Sequence, residues 1–204
     1  MFKIFRSSII AGICIAMGGT AFLKIGGLEG AILFSFGLLT VVHYALKLYT
    51  GTAGFFKAGS VEEWVSLFVI IVGNFVGCGL MAWLLYATSP DLMEGAAQIV
   101  TKRQSAGMFN CFLNAICCGF IMTTAVQFGR KNHFLPLLFG VPLFIMCGFT
   151  HSIADAFYFI FSREFILTND HILLKGHIFA IWIFEILGNF FGCNLYRVMC
   201  LKTQ

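Results

Sequence analysis

The side chains in this sequence that could do chemistry stand inside apolar runs. His151 follows a glycine near the end of one such run, in Met146-Cys-Gly-Phe-Thr-His-Ser-Ile-Ala-Asp155. An unperturbed imidazole titrates near neutral pH, and an ionisable group at membrane depth marks a solute or proton path by default. The plainer alternative is a satisfied core histidine. Lys47, four residues after His43, is harder to hide. A central ammonium in lipid costs at least about 2.5 to 3.5 kcal/mol on insertion scales. It either snorkels to an interface on its long stem or faces a pore and attracts anions. Asp155 is either its partner or a local cap for free amides at a helix break. Glu185, on the last apolar run, has no obvious partner in the sequence.

Two buried amides belong with these groups. The hexapeptide Gly73-Asn-Phe-Val-Gly-Cys78 returns almost unchanged as Gly188-Asn-Phe-Phe-Gly-Cys193. Gly-x-x-x-Gly lets two backbones approach where side-chain bulk would keep them apart. Asn74 and Asn189, in the same turns, then present an amide to whatever backbone passes. The eight cysteines lie mostly in apolar runs with no CxxC pair and no histidine spacing, so they read as small packing residues rather than as disulfides or metal ligands.

The elements that must position these groups follow from composition. Of 204 residues 59% are apolar and 11% charged, with 25 Phe, 22 Gly and three Pro. A water-soluble domain carries about 25% charged residues, so a soluble enzyme is excluded and the apolar surface must be hidden in lipid. The formal charge of +4 comes from scattered Lys and Arg without a basic stripe, which excludes a nucleic-acid partner. No enzymatic activity, cofactor or metal is expected.

A bilayer core about 30 Å thick takes about 20 apolar residues as helix. Six such spans fit: Ser7 to Lys24, Glu29 to Lys47, Glu63 to Thr88, Ser105 to Phe128, Phe134 to Phe161 and His171 to Cys200. The basic start, Met1-Phe-Lys-Ile-Phe-Arg6, imitates a secretory signal, but no small-x-small cleavage site follows and the stretch reads as a working helix. The spans use up the chain as one transmembrane channel domain over 1–204. With both termini cytoplasmic, Lys3, Arg6, Lys57, Arg130, Lys131, Arg197 and Lys202 face inward against Lys24, Lys102, Arg103, Arg163 and Lys175 outside. The setting is a cell (inner) membrane.

The hexapeptides are 115 residues apart. Fainter echoes at 103 pair Gly12-Ile13-Cys14 with Ala115-Ile116-Cys117, and Phe36-Gly37 with Phe139-Gly140. The chain therefore reads as two repeats of three helices, about 1–90 and 100–204. An odd number of spans separates equivalent elements, so the second repeat is inverted in the membrane, the plan of many transport proteins. The extra residues of the second repeat fall between Phe161 and Lys175, as an outer loop. The second and fifth spans are broken by Tyr49-Thr-Gly-Thr-Ala-Gly54 and by the segment around His151. Non-helical backbone at that depth is tolerated only where it is buried in protein or lines a watery cavity, so both breaks point to one shared site.

These residues resemble the formate/nitrite transporter family, pentameric, aquaporin-like channels for small monovalent anions that include hydrosulfide channels. The resemblance rests on Phe34 to Thr50 (FSFGLLTVVHYALKLYT), on Gly148-Phe-Thr-His-Ser-Ile-Ala154 and on both Gly-Asn-x-x-Gly turns, and it spans nearly the whole chain. It implies that His151 is the central pore histidine and Thr50 the threonine of the gating loop. It implies that Phe34, Leu38 and Leu48 form one apolar constriction and Phe144 part of a second, and that Arg103 stands where the family keeps a lysine. It further implies a homopentamer. Four departures accompany it. Lys47 stands at an acidic position, Thr150 at a glutamate, and Asp155 at an asparagine, while Gly119 falls where a polar residue is expected. Together they move the local field from acidic toward basic, or else lock Lys47 to Asp155.

The expected function is a channel for small monovalent anions or their neutral acids, such as formate, nitrite or hydrosulfide, proton-coupled through His151. A bare anion is expensive to desolvate, and neutralising it is the cheap route. The alternatives are a pore for small neutral solutes and a membrane redox protein with His43 and His151 as haem ligands.

Overall fold

The computed structural model describes residues 1–56, 59–163 and 175–199, and every regular element among them is helical. In chain order the helices are α1 (Phe2–Ile25), α2 (Gly27–His43), α3 (Tyr49–Ala53), α4 (Val61–Thr88), α5 (Met93–Arg130), α6 (Leu135–Met146), α7 (Ser152–Phe161) and α8 (Lys175–Met199). Helices α1, α4, α5 and α8 are each long and apolar enough to cross a membrane; α2, α6 and α7 are shorter apolar helices. Among the described residues six passes result, because α2 with α3 and α6 with α7 each make one interrupted crossing. Lys57, Lys202, the start of the sixth expected span and most of the expected outer loop lie outside the described residues.

Helix α5 begins earlier than expected. The stretch just before Ser105 was read as a connection, but a 3₁₀ turn at Pro90–Leu92 leads straight into a helix that runs through it. Ala96, Ala97 and Val100 bury one face of that arm, at helical spacing. The arm joins the fourth span across Gly107, whose φ of 80° breaks the helical path where any larger side chain would be strained.

The two halves are built alike, and the contacts correct the register of the first repeat helix. A Cβ on Gly12 would collide with the carbonyl of Asn74, and one on Gly119 with that of Asn189. Gly77 lies against the Ile9 carbonyl as Gly192 lies against that of Ile116. Gly12 therefore corresponds to Gly119, not to Ala115, one helical turn further along. A four-residue slip keeps the same face toward the same neighbour, which is why the sequence echo settled on the wrong turn. Gly119 has no room for the polar side chain expected there.

Each break spans five residues, 44–48 and 147–151, before the chain resumes as α3 or α7. A helix start leaves amide hydrogens unsatisfied, and lipid offers no water to take them. Asn74 and Asn189 supply the remedy. Asn74 Oδ1 accepts from the Tyr49 amide at 2.9 Å, and its Nδ2 donates to the carbonyls of Lys47 at 2.9 Å and Ser8 at 2.8 Å. Asn189 Oδ1 accepts from the Ser152 amide at 2.9 Å, and its Nδ2 donates to Thr150 at 3.0 Å and Ala115 at 2.8 Å.

The restarted half-helices cross over. Helix α7, from the second half, packs on α4 of the first; α3, from the first, packs on α5 and α8 of the second. The cysteine closing each hexapeptide follows the same exchange. Cys78 Sγ lies 3.4 Å from the Ile153 carbonyl, and Cys193 Sγ lies 3.4 Å from that of Thr50.

Candidate functional site

His151 is the residue from which α7 restarts. Its Nδ1 accepts the Ala154 amide hydrogen at 3.1 Å, so that nitrogen carries no proton. The proton of the neutral ring therefore sits on Nε2, which donates to Thr50 Oγ1 at 2.8 Å. Two breaks from opposite halves thus meet in a single hydrogen bond. Phe144 stacks on the imidazole at 5.6 Å, and Phe34 meets Phe144 edge-on at 6.1 Å.

A cavity of about 140 Å³ opens on one side of this group, lined among others by Phe34, Phe144, His151, Arg103, Asp155 and Lys102. Arg103 comes from the arm of α5 ahead of Gly107. Its Nε donates to Asp155 Oδ2 at 2.9 Å and its Nη1 to the Gly148 carbonyl at 2.9 Å, so it ties the fifth-span break to the first turn of α7. Asp155 is 2% exposed and the Arg103 side chain 18%. A charge pair at that depth holds only because each partner has the other and the guanidinium has a further acceptor.

Several expected site residues stand elsewhere. Lys47 is exposed and Asp155 belongs to Arg103, so the Lys47 to Asp155 pair does not form. The basic field expected from Lys47 is not delivered to the cavity; the cations there are Arg103 and Lys102. Thr150 turns away, its hydroxyl donating to the Cys111 carbonyl at 2.8 Å. Asn74 and Asn189 spend their amides on backbone, as described, and hold the site rather than line it. Leu38 and Leu48 are buried at 1% and 0% exposure. Phe34 sits with Phe144 on one wall of the cavity instead of on the opposite side of the histidine, because their rings are in contact. His43 is exposed at the end of α2, against Tyr44, and both ring nitrogens of His151 are engaged, which leaves the haem reading without ligands.

Three features were not read from the sequence. Arg130 donates from Nη2 to the Gly51 carbonyl at 3.0 Å and lies 3.6 Å over the Phe55 ring, closing the end of α3. The two hexapeptide cysteines reach across the halves; their place at the end of both repeats was the available signal. Glu185 is fully buried with neither carboxylate oxygen hydrogen-bonded among the described residues, which no spacing rule foretells.

The formate/nitrite transporter family model matches residues 1–201. No curated protein sequence matches significantly. Among solved structures, the chain is similar to a "Pentameric formate channel with formate bound", at 20% identity and a TM-score of 0.86 over 98% of this chain and 95% of that one. It is also similar to an "FNT family ion channel", at 21% identity and a TM-score of 0.80 over 96% and 87%. Identities this low speak for the fold.

Proposed function

The chain belongs to the formate/nitrite transporter family, an integral membrane family of channels and not of enzymes, and on that premise we propose that it conducts small monovalent anions or their neutral acids. Formate is the first substrate to test. The observation that carries the reading is the bond between His151 and Thr50 at the end of a cavity walled by Phe34 and Phe144 and flanked by Arg103.

Arg103 and Lys102 draw an anion into the cavity, since a cation behind low-dielectric walls concentrates the opposite charge. The rings of Phe34 and Phe144 then strip its water, which disfavours the charged form and favours taking up a proton. Thr50, already accepting from His151, keeps its own hydroxyl hydrogen to offer the solute, and the imidazole holds that hydroxyl in place. Passage is proton-coupled at this group. The domain is the whole chain, 1–204, with Leu38 and Leu48 narrowing the path beyond the cavity. Both termini face the cytoplasm, a reading supported by Lys3, Arg6 and the Arg130-Lys131 pair. The assembly is a homopentamer, by likeness to the pentameric formate channel.

Uptake of labelled formate into proteoliposomes tests this. The expected result is protein-dependent uptake that acidifies the lumen and that His151→Ala abolishes. Uptake without proton movement, or unchanged in His151→Ala, would refute the reading.

A further inference from the structure

Helix α7 brings one more polar side chain to the cavity. His151, Ala154, Asp155 and Tyr158 all line it, at the i, i+3, i+4 and i+7 spacing that sets residues on one helix face. Tyr158 is 4% exposed, and its ring lies 5.4 Å from that of Phe157. Its hydroxyl makes no hydrogen bond among the described residues, and the oxygen is not sealed in protein. A buried phenol ordinarily finds a partner, so a hydroxyl left open at a cavity wall is a donor in reserve. It stands beside Gly19 of α1, where a Cβ would come within 3.3 Å of it, one turn before the lining residue Phe22.

The charges on the wall set what the cavity takes. Lys102 and Arg103 stand there with one carboxylate, Asp155, while the neutral His151 keeps its proton on Nε2. Two cations against one carboxylate leave a single positive charge, which one monovalent anion balances. Among the described residues Arg103 spends two of its five N–H donors, on Asp155 and on the Gly148 carbonyl. Nη2 and one N–H of Nη1 are left for a solute. Asp155, which fixes the guanidinium, is one turn from Tyr158, a rise of about 4.5 Å along the helix. Guanidinium and phenol thus flank one patch of the wall. The volume of about 140 Å³ has room for several waters, hence for an anion of three heavy atoms with part of its shell.

We propose that Tyr158 is a specificity-determining residue: its hydroxyl and the Arg103 guanidinium form a two-point site for a monovalent anion with two oxygens, two helical turns from His151. Donors on separate elements, α7 and α5, give formate or nitrite one bond for each oxygen, a fit that adds geometric selection to the attraction of charge. A single-atom anion gains the charge without the fit. This rests on the channel reading and names the class of anion that the channel selects.

Concentration-dependent uptake of labelled formate into proteoliposomes at pH 7, with unlabelled nitrite and chloride as competitors, tests it. In the wild type nitrite should displace formate at about tenfold lower concentration than chloride. Tyr158→Phe keeps the ring and its packing on Phe157. It should raise the half-saturating formate concentration by about tenfold, at the lower end for one hydrogen bond to a charged group, and change the limiting rate less than that. It should also bring nitrite and chloride within about twofold of each other. A half-saturating concentration unmoved in Tyr158→Phe, or a limiting rate that falls in its place, overturns the role of Tyr158 and leaves the channel reading standing. Chloride competing as well as nitrite in the wild type overturns the two-point site, whether or not the variant folds. No formate uptake by the wild type at any concentration overturns the channel reading itself, and this site with it.

Discussion

Asn74 and Asn189 hold the two helix breaks with the same three hydrogen bonds, one accepted from the restarting helix and two donated to carbonyls. Neither amide has capacity left for a solute beyond one acceptor lone pair. Their role is to keep non-helical backbone satisfied at membrane depth, so substitution should act on stability first. Asn189→Ala strands the Ser152 amide hydrogen and the Thr150 carbonyl, at about 1 to 3 kcal/mol for each buried orphan, while the Ala115 carbonyl stays within helix α5. Asn189→Asp keeps the acceptor but sets a carboxylate with no cation against the two carbonyls that Nδ2 served at 2.8 and 3.0 Å. Thermal unfolding in detergent should therefore rank wild type above both variants, with Asn189→Asp no more stable than Asn189→Ala. Equal melting of Asn189→Ala and wild type would dismiss the assignment.

Arg103 and Asp155 should couple. Arg103→Gln leaves a carboxylate at 2% exposure without its guanidinium, a loss of about 3 to 5 kcal/mol, while removing both charges costs less. A double-mutant cycle of Arg103→Gln and Asp155→Asn, read by thermal unfolding, should show the double variant more stable than Arg103→Gln alone. Additive losses would mean that the pair is not a unit.

Lys47→Ala should change little. The side chain is exposed and the backbone of Lys47, not its ammonium, takes the bonds to Ser7 and Asn74. Stability should move by less than about 0.5 kcal/mol, and formate uptake should stay within about twofold of wild type. A large loss of uptake would put the ammonium back in the path.

Thr50 accepts the His151 Nε2–H, so Thr50→Val and Thr50→Ser should separate. Serine keeps the hydroxyl and valine keeps the shape. Formate uptake should survive in Thr50→Ser and fall by about tenfold in Thr50→Val, the scale of one lost net hydrogen bond. Equal uptake in both would show that shape alone matters at this position.

Gly192 and Gly79 form a steric control pair. A Cβ on Gly192 meets the Ile116 carbonyl, whereas one on Gly79 meets nothing within 4 Å. Gly192→Ala should therefore lower the melting temperature and Gly79→Ala leave it unchanged or raise it slightly, since alanine favours helix.

Much of this was legible because lipid imposes hard rules. Polar and glycine residues inside an apolar run must be buried in protein, so both breaks, and His151 and Thr50 with them, stand out without any tertiary knowledge. The repeated asparagines could be paired by eye. What escaped is what one-dimensional spacing cannot encode. The partner of Asp155 was sought in Lys47, from the broken second span, but it is Arg103, 52 residues away on a different helix. The arm of α5 was missed because its polar residues, Gln98, Lys102 and Arg103, broke the apolar count while its buried alanines kept helical spacing. The contact of Phe34 with Phe144 depends on how far each broken span penetrates, and composition does not fix that depth.

The exchange of α3 and α7 between the halves has a mechanical result. Each half holds the other's short arm, by packing and through a thiol from the opposite hexapeptide, and the bond between Thr50 and His151 straddles the seam. Swinging one half against the other would draw both arms from their sockets together and sever the central bond as well. Such an interlocked body suits a conduit whose frame stays still while solute moves, and it is ill suited to a carrier that exposes its site to the two sides in turn.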